Sequence, residues 1–360
     1  MKRVAVQIPG TDQKEYPVFI GRDVLKDAAS LIDCVRYTKA VIVTDRNIPT
    51  EFLDTLTAGL PFETSTYTLA PGEDHKNIDA VAEVWRGLHT ARADRKSVLI
   101  NVGGGVVGDI GGFAAATYMR GIDFIQVPTT TVSQVDSSVG GKTGIDFDTV
   151  KNLVGAFAQP AAVMIDVDTL KTLPPREFVS GFGEIIKHGL IRDAEYFRFV
   201  TSKKPLEFDA DEMVEVIGRS VAIKAEVVSG DEKEAHERKI LNFGHTVGHA
   251  VESLSLGTPG ALLHGEAVAI GMAAEARIAC RLGILTSEAR DTAIASFTNA
   301  GLPIAIPQRM ETPAIMEKMR SDKKNVKGET RFSLVTDIGT SVYDKAASDE
   351  AVMKALEETR

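Results

Sequence analysis

Short apolar runs alternate with helical periodicities through the first half of the chain. Residues 4–8, 39–44, 67–69, 97–102, 124–127 and 162–166 read as strands, each bounded by polar or glycine-containing turns. Between them lie helical patterns, as over residues 78–92, where Val81, Val84, Trp85 and Leu88 share one face. Such alternation predicts an open α/β domain with a mainly parallel sheet. At Pro174-Pro175 the character changes, because adjacent prolines disfavour helix and mark a junction. Beyond it, helical patterns run over residues 177–191, 212–231, 239–255, 265–282 and 287–299, with one short strand at 330–335. The expected organisation is an α/β domain over residues 1–170 and an α-helical domain over 171–360, without internal repeats.

Composition narrows the function classes. A chain of 360 residues that is 44% hydrophobic supports a large core and two domains. Its net charge of -9 makes it a poor general nucleic-acid binder, though it leaves room for a local basic pocket. Two cysteines, Cys34 and Cys280, make no disulfide framework. No run reaches about 18 apolar residues, the length of a membrane span, and the start lacks the apolar stretch of a signal peptide. The expectation is a cytoplasmic protein with no membrane or nucleic-acid partner.

Several chemically useful residues follow predicted strands, which is where ligands bind in open α/β sheets. The densest is Gly103-Gly104-Gly105-Val106-Val107-Gly108-Asp109. A strand, a glycine turn and a helix start suit a pyrophosphate, since backbone amides can approach it and the helix terminus favours negative charge. Packing of tight turns explains glycines equally well. Asp45 and the Glu73…Lys76 loop follow two other strands and suggest a dinucleotide site, although either acid can also be a helix cap. Thr129, Thr130 and a glycine-rich stretch through Gly140-Gly141-Lys142 lie after a further strand. Full P-loop spacing fails there, because Asp136 stands where its first glycine belongs. Lys142, Lys151 and Asn152 suit an oxygen-rich substrate.

Three of the seven histidines, His245, His249 and His264, fall within twenty residues. His245 and His249 are four apart and share a helix face. With Glu184 as a carboxylate, two imidazoles would make a catalytic zinc type of centre with an open position. Spacing alone leaves His245, His249 and His188 all eligible. Lys187, Lys224, Arg238, Asn242, Lys323 and Lys324 add cations and an amide for carboxylate and phosphate groups. If the helix reaches back far enough, Arg238 and Asn242 face the same way.

These motifs are collinear over about residues 40–340 with those of a known family: Gly103-Gly104-Gly105 through Phe113, Arg120-Gly121, Pro128-Thr129-Thr130, Asp136 through Lys142, Lys151-Asn152, Glu184 through Lys187, Leu241 through Thr246, and His264-Gly265-Glu266. The chain resembles the 3-dehydroquinate synthase family of sugar phosphate cyclases. The resemblance implies a Rossmann-like NAD-binding α/β domain followed by an α-helical metal-binding domain, a homodimer, and a site in the cleft between domains. It assigns Glu184, His245 and His264 to a zinc or cobalt ion and places His249 on the substrate instead. It assigns substrate contacts to Asp136, Lys142, Asn152, Lys187, Lys224, Arg238, Asn242, His249 and Lys324, with Arg120 reaching the neighbouring subunit's substrate. NAD contacts fall on Asp45, Glu73, Lys76, Gly104, Gly105, Val106, Val107, Gly108, Asp109, Thr129, Thr130, Lys142, Lys151, Thr169, Thr172 and Leu173. The implied reaction turns the phosphorylated sugar acid 3-deoxy-D-arabino-heptulosonate 7-phosphate into 3-dehydroquinate and phosphate. Rival expectations are another cyclase, such as an aminodehydroquinate synthase, and a metal-dependent polyol dehydrogenase. Gly183 departs from the family's usual alanine; loss of one methyl group predicts a slightly looser helix and no change of chemistry.

Overall fold

A computed structural model describes residues 1–8, 15–148, 150–320 and 330–360. The first unit comprises residues 1–174 and 209–229, and the second comprises 175–208 and 230–360. The expected division fell between residues 170 and 171 without a return of the chain. The helix Ala210–Gly230 was readable as a helix, but it is grouped with the α/β unit. Periodicity reports which face a helix buries, not against what.

The strands of the first unit are β1 (Lys2–Gln7), β2 (Glu15–Gly21), β3 (Lys39–Asp45), β4 (Glu63–Leu69), β5 (Val98–Gly103), β6 (Asp123–Pro128), β7 (Lys142–Phe147), β8 (Val150–Phe157) and β9 (Ala162–Asp166). Seven form a sheet in the order β1-β2-β9-β6-β5-β3-β4, and the two others pair as a β7-β8 hairpin. β1 and β2 are antiparallel; every other neighbouring pair of the large sheet is parallel. Alternation of side chains across a strand explains the two cores. Val41, Val43 and Leu99 face one core with Val81, Ile110 and Phe113, while Ala40, Ile42 and Ile100 face the other with Ala28 and Leu56. Burial on both faces is why these strands read as continuous apolar runs.

Local chemistry sets the element limits. Asn77 caps the helix Ile78–Thr90 by accepting from the amides of Asp79 and Ala80. The helix Gly105–Thr117 follows β5 directly. A Cβ at Gly111 would lie 1.9 Å from Asn101 Oδ1, and one at Gly112 would lie 2.5 Å from Thr143 Cγ2. These glycines therefore serve helix packing against β5 and β7. Gly111→Ala should cost about 1–3 kcal/mol through overpacking. Thermal melting should fall by several degrees; an unchanged transition would mean the helix withdraws freely.

In the second unit, Pro175 opens the helix Pro175–Ser180, a position where a missing N–H costs nothing. The expected single helix over 177–191 divides there, and the helix Phe182–Arg192 follows. The expected lone strand at 330–335 is one half of a hairpin, β10 (Arg331–Asp337) with β11 (Thr340–Ala346). The expected helix over 239–255 also divides. A 3-10 turn covers Glu237–Asn242, Gly244 takes φ 82°, and the helix His245–Ser255 starts afresh. In a 3-10 turn residues four apart are rotated by about 120°, so Arg238 and Asn242 do not share a face.

Candidate functional site

The first unit gathers its polar loops at the carboxyl ends of parallel strands. The order of the strands reverses between the parallel neighbours β3 and β5, whose ends carry Asp45 and Gly103. Such a switch point is where crevices open in doubly wound sheets. Gly104 is the N-cap of the Gly105–Thr117 helix and supplies no side-chain cap. A Cβ on Gly104 would lie 3.1 Å from Thr130 Cγ2, and one on Gly105 would lie 3.0 Å from Ser137 Oγ. The helix start, with Val106, Val107 and Gly108 in its first turn, is thus a cradle that side chains would fill. The buried hydroxyls of Thr44 and Thr129 have no hydrogen-bond partner among the described residues. Orphaned polar atoms at strand ends fit a polar ligand. Other expected contacts are already engaged in the protein. Asp45 accepts from the Asn47 amide at 2.7 Å, and Thr130 Oγ1 meets Ser133 Oγ at 2.9 Å. Thr169 joins Gln134, and Thr172 Oγ1 donates to the Thr169 carbonyl. Leu173 follows that turn, half-buried.

Lys76 organises a charged cluster beside this loop. It is 4% exposed. Its ammonium meets Asp109 Oδ2 at 2.6 Å, donates to Asn152 Oδ1 at 2.6 Å and faces Glu73 Oε1 at 3.9 Å. Lys151 approaches Glu73 at 3.6 Å. Burial works against the Lys76 charge, yet Asp109 and Glu73 outweigh it and hold its pKa above the usual lysine value. Burial also pushes the Asp109 carboxyl up, with Lys76 opposing. Asn152 adopts φ 51°, a left-handed conformation rare for a side-chain-bearing residue, and its amide donates to Asp146 Oδ1 at 2.7 Å. Sequence reasoning missed Asp146, which carries no local signal in a stretch not read as strand.

Asp136 lies in a π-helical turn, Ser133–Ser137, a distortion frequent at functional sites. It is joined by Lys224 from the Ala210–Gly230 helix, whose ammonium meets Asp136 Oδ1 at 2.7 Å and its carbonyl at 2.6 Å. Sequence reading set Lys224 among the cations around the histidine cluster; Asp136, the partner described here, lies in the first unit. Lys142 is exposed on β7. Arg120 is exposed in a turn where Met119, Arg120 and Gly121 all have positive φ (50°, 70° and 117°). Lys323 and Lys324 lie outside the described residues.

The second unit converges on Glu184. This carboxylate is 0% exposed and sits in the first turn of the Phe182–Arg192 helix. His245 Nε2 approaches its Oε1 at 3.6 Å and His264 Nε2 at 3.4 Å; Lys187 makes an ion pair with its other oxygen. One ligand atom from each of Glu184, His245 and His264 lies within 4.8 Å of the others. The far ring nitrogens are engaged too: His245 Nδ1 lies 3.2 Å from the Phe243 carbonyl and His264 Nδ1 lies 3.4 Å from Glu252 Oε2. Partners on Nδ1 leave Nε2 as the inward ligand atom, the arrangement that orients metal-binding imidazoles. Burial works against a charge on His264, but Glu184 and Glu252 push its pKa up to about 10. Burial together with Lys187 drives His245 well down, to the neutral form a ligand needs. Burial opposes ionisation of Glu184, yet Lys187 and the two imidazoles hold it well below the usual carboxylate range. A buried anion facing two imidazoles fits a divalent cation.

Close helix crossings fix this geometry. A Cβ on Gly183 would lie 2.6 Å from the Gly265 carbonyl, and one on Gly265 would lie 1.8 Å from the Ser180 carbonyl. Gly183 is therefore a contact beside both Glu184 and His264, where sequence reading expected only slack. His188 is buried on the same helix as Glu184 but is not part of this trio. His249 is half-buried one turn beyond His245, with ring centroids 5.0 Å apart. Arg238 is buried, its guanidinium donating to the Glu232 carbonyl and its amide to Asp231; Asn242 donates to Glu234. Sequence reasoning missed Glu252 and Glu275. Glu252 sits three residues after His249, a helical spacing that could have flagged it.

Residues 66–180 match the family described as 3-dehydroquinate synthase N-terminal, and residues 181–325 match 3-dehydroquinate synthase C-terminal. A 3-dehydroquinate synthase of Pseudomonas fluorescens strain SBW25 is 43% identical over 347 residues, covering 96% of this chain and 94% of the relative. One of Caulobacter vibrioides strain NA1000 / CB15N is 42% identical over 358 residues, covering 96% of each. Among solved structures, 2-deoxy-scyllo-inosose synthase complexed with carbaglucose-6-phosphate, NAD+ and Co2+ shares the fold, with a TM-score of 0.88 at 24% identity, covering 99% of this chain and 100% of that one. The 2-epi-5-epi-valiolone synthase of Streptomyces hygroscopicus subsp. jinggangensis 5008, with NAD+ and Zn2+ bound, gives 0.87 at 25% identity, covering 98% and 99%. With both family halves matched in order and relatives above 40% identity over nearly the whole chain, this protein belongs to the 3-dehydroquinate synthase family.

Proposed function

We propose that the chain converts 3-deoxy-D-arabino-heptulosonate 7-phosphate to 3-dehydroquinate and phosphate. The steps are oxidation of a hydroxyl, loss of phosphate, re-reduction, ring opening and aldol closure. The observation that carries this reading is the buried Glu184 with His245 Nε2 and His264 Nε2 turned onto it, in a chain of this family. When bound, NAD would supply a reversible hydride acceptor, and one zinc or cobalt ion would supply Lewis acidity.

The remaining chemistry falls to the chain's own residues. Glu184, His245 and His264 hold the metal. The Gly104–Asp109 turn and the Lys76 cluster hold the dinucleotide, with the unpartnered Thr129 hydroxyl as a further contact. Lys187, buried beside Glu184, offers a charge to developing oxyanions. Lys142, Asn152, Arg238 and Asn242 bind anionic and hydroxyl groups; Asp136 and Lys224 act as a hydrogen-bonded pair. His249 moves protons at substrate oxygens, and Lys324 completes the cation set. In the same reading the chain is a cytoplasmic homodimer, and Arg120 serves the neighbouring subunit's substrate. A strained turn supports a role for Arg120, since positive φ at two consecutive non-glycine residues is retained only at a cost of about 1–3 kcal/mol each. Exposed Phe147, Val150, Leu153, Val154 and Phe157 on the β7-β8 hairpin offer apolar surface for a second copy.

Incubation of the metal-loaded protein with the heptulosonate phosphate and substoichiometric NAD tests the reading. Phosphate should be released in many-fold excess over NAD, without NADH accumulation. Stoichiometric NADH with no phosphate would assign the chain to polyol oxidation instead.

A further inference from the structure

The helix His245–Ser255 carries two of the candidate imidazoles, yet it has no cap of its own. Its N-cap is Gly244, which has no side chain, and Val247 at the third position is apolar. In a local capping box, the N-cap and third residues satisfy each other's amides. Here one carboxylate from another helix serves both. Glu275 is 0% exposed; its Oε2 accepts from the Gly244 amide at 2.7 Å and its Oε1 from the Val247 amide at 3.1 Å. These two amides bracket His245.

The crossing leaves little slack. A Cβ on Gly244 would come within 2.3 Å of Met272 Cγ, and one on Gly271 within 1.9 Å of the Gly244 carbonyl. Gly244 also holds φ 82°, which glycine alone adopts without strain. Glu275 belongs to the helix His264–Arg281, whose first residue is the other imidazole ligand. Eleven residues of helix separate them, about 16 Å of rigid rod. One helix therefore presents His264 at its start and grips the backbone around His245 three turns later.

We infer that Glu275 is a positioning residue that sets His245 relative to His264 and so builds the metal-binding geometry. The inference rests on the metal reading of Glu184, His245 and His264. Glu275→Gln keeps the shape but turns an amide NH2 toward one of the two backbone N–H donors, so one hydrogen bond is lost.

The test compares metal-stripped wild type, Glu275→Gln and Glu275→Asp by Co2+ titration, reading affinity and the visible Co2+ spectrum. NAD affinity and far-UV circular dichroism are followed in parallel. Losing a hydrogen bond that orients a metal ligand typically weakens metal binding about 10- to 100-fold. Glu275→Gln should bind Co2+ at least about tenfold more weakly with an altered spectrum. Its NAD affinity should stay within about twofold of wild type, and Glu275→Asp should recover part of the loss. A folded Glu275→Gln with wild-type Co2+ affinity and spectrum overturns the inference alone. A wild-type chain that takes up no Co2+ overturns the metal reading and this inference with it. If Glu275→Gln does not fold, hydrogen exchange of wild type decides. Coupling between cap and metal is reciprocal, so Co2+ loading should slow exchange of the Gly244 and Val247 amides. Unchanged exchange at both would also overturn the inference.

Discussion

Glu184→Gln should leave the chain without its metal and lower phosphate release about 10³-fold or more, since Lewis-acid stabilisation is worth several kcal/mol. Glutamine nearly preserves the shape of a side chain that is 0% exposed, so the change is one of charge. The charge matters twice. It is the sole anion of the Glu184–His245–His264 trio, and a divalent cation bound by two neutral imidazoles and an amide would lose its charged ligand. It also pairs with Lys187, which is 1% exposed. Removing one partner of a buried pair costs about 3–5 kcal/mol because the other charge remains. The variant should therefore melt at a lower temperature as well as lose metal. Elemental analysis after dialysis and a phosphate-release assay make the measurement. A variant retaining about one metal per chain would locate the ion elsewhere.

His249→Ala separates the two ways in which these histidines can group. His249, Glu252 and His264 also lie close enough to hold an ion, and they share His264 with the first trio. The ring nitrogens distinguish them. His264 Nδ1 faces Glu252 and its Nε2 faces Glu184. One imidazole cannot turn both nitrogens to a single ion, and the Glu184 side offers the fully buried carboxylate. His249→Ala should then keep about one metal per chain with an unchanged Co2+ spectrum. Activity should fall about 10²- to 10⁴-fold, the usual worth of a positioned general acid or base. Loss of the metal would move His249 into the ligand set; retained activity would remove its proposed proton-transfer role.

Legibility from sequence differed by kind of feature. Strands buried on both faces were visible because their apolar runs are continuous, as in residues 97–102 and 124–127. The β7-β8 hairpin was not, because Lys142-Thr143-Gly144 reads as a polar glycine loop; its antiparallel pairing with residues 155–157 makes it a strand. The break at Phe243-Gly244 was invisible to a periodicity that runs through it. Among site residues, the glycine turn and the histidine cluster announced themselves by local spacing. Asp146 and Glu275 did not, since a lone acid in an otherwise ordinary stretch looks like surface until its burial is known; Glu252 carried only its spacing of three from His249.

The residue pattern carries the alternation that builds a parallel sheet, the loops at strand ends, the donor types available for a metal, and the collinear motifs of the family. Packing of distant segments brings Lys224 to Asp136, turns Nε2 of His245 and of His264 toward Glu184, and sets Glu275 at the start of the helix bearing His245. The reason is physical. Periodicity and motif spacing describe neighbours within about one or two turns, whereas these contacts join residues far apart in the chain. Their distances are set by how closely backbones cross, and around the imidazoles that closeness depends on glycines at Gly183, Gly244, Gly265 and Gly271.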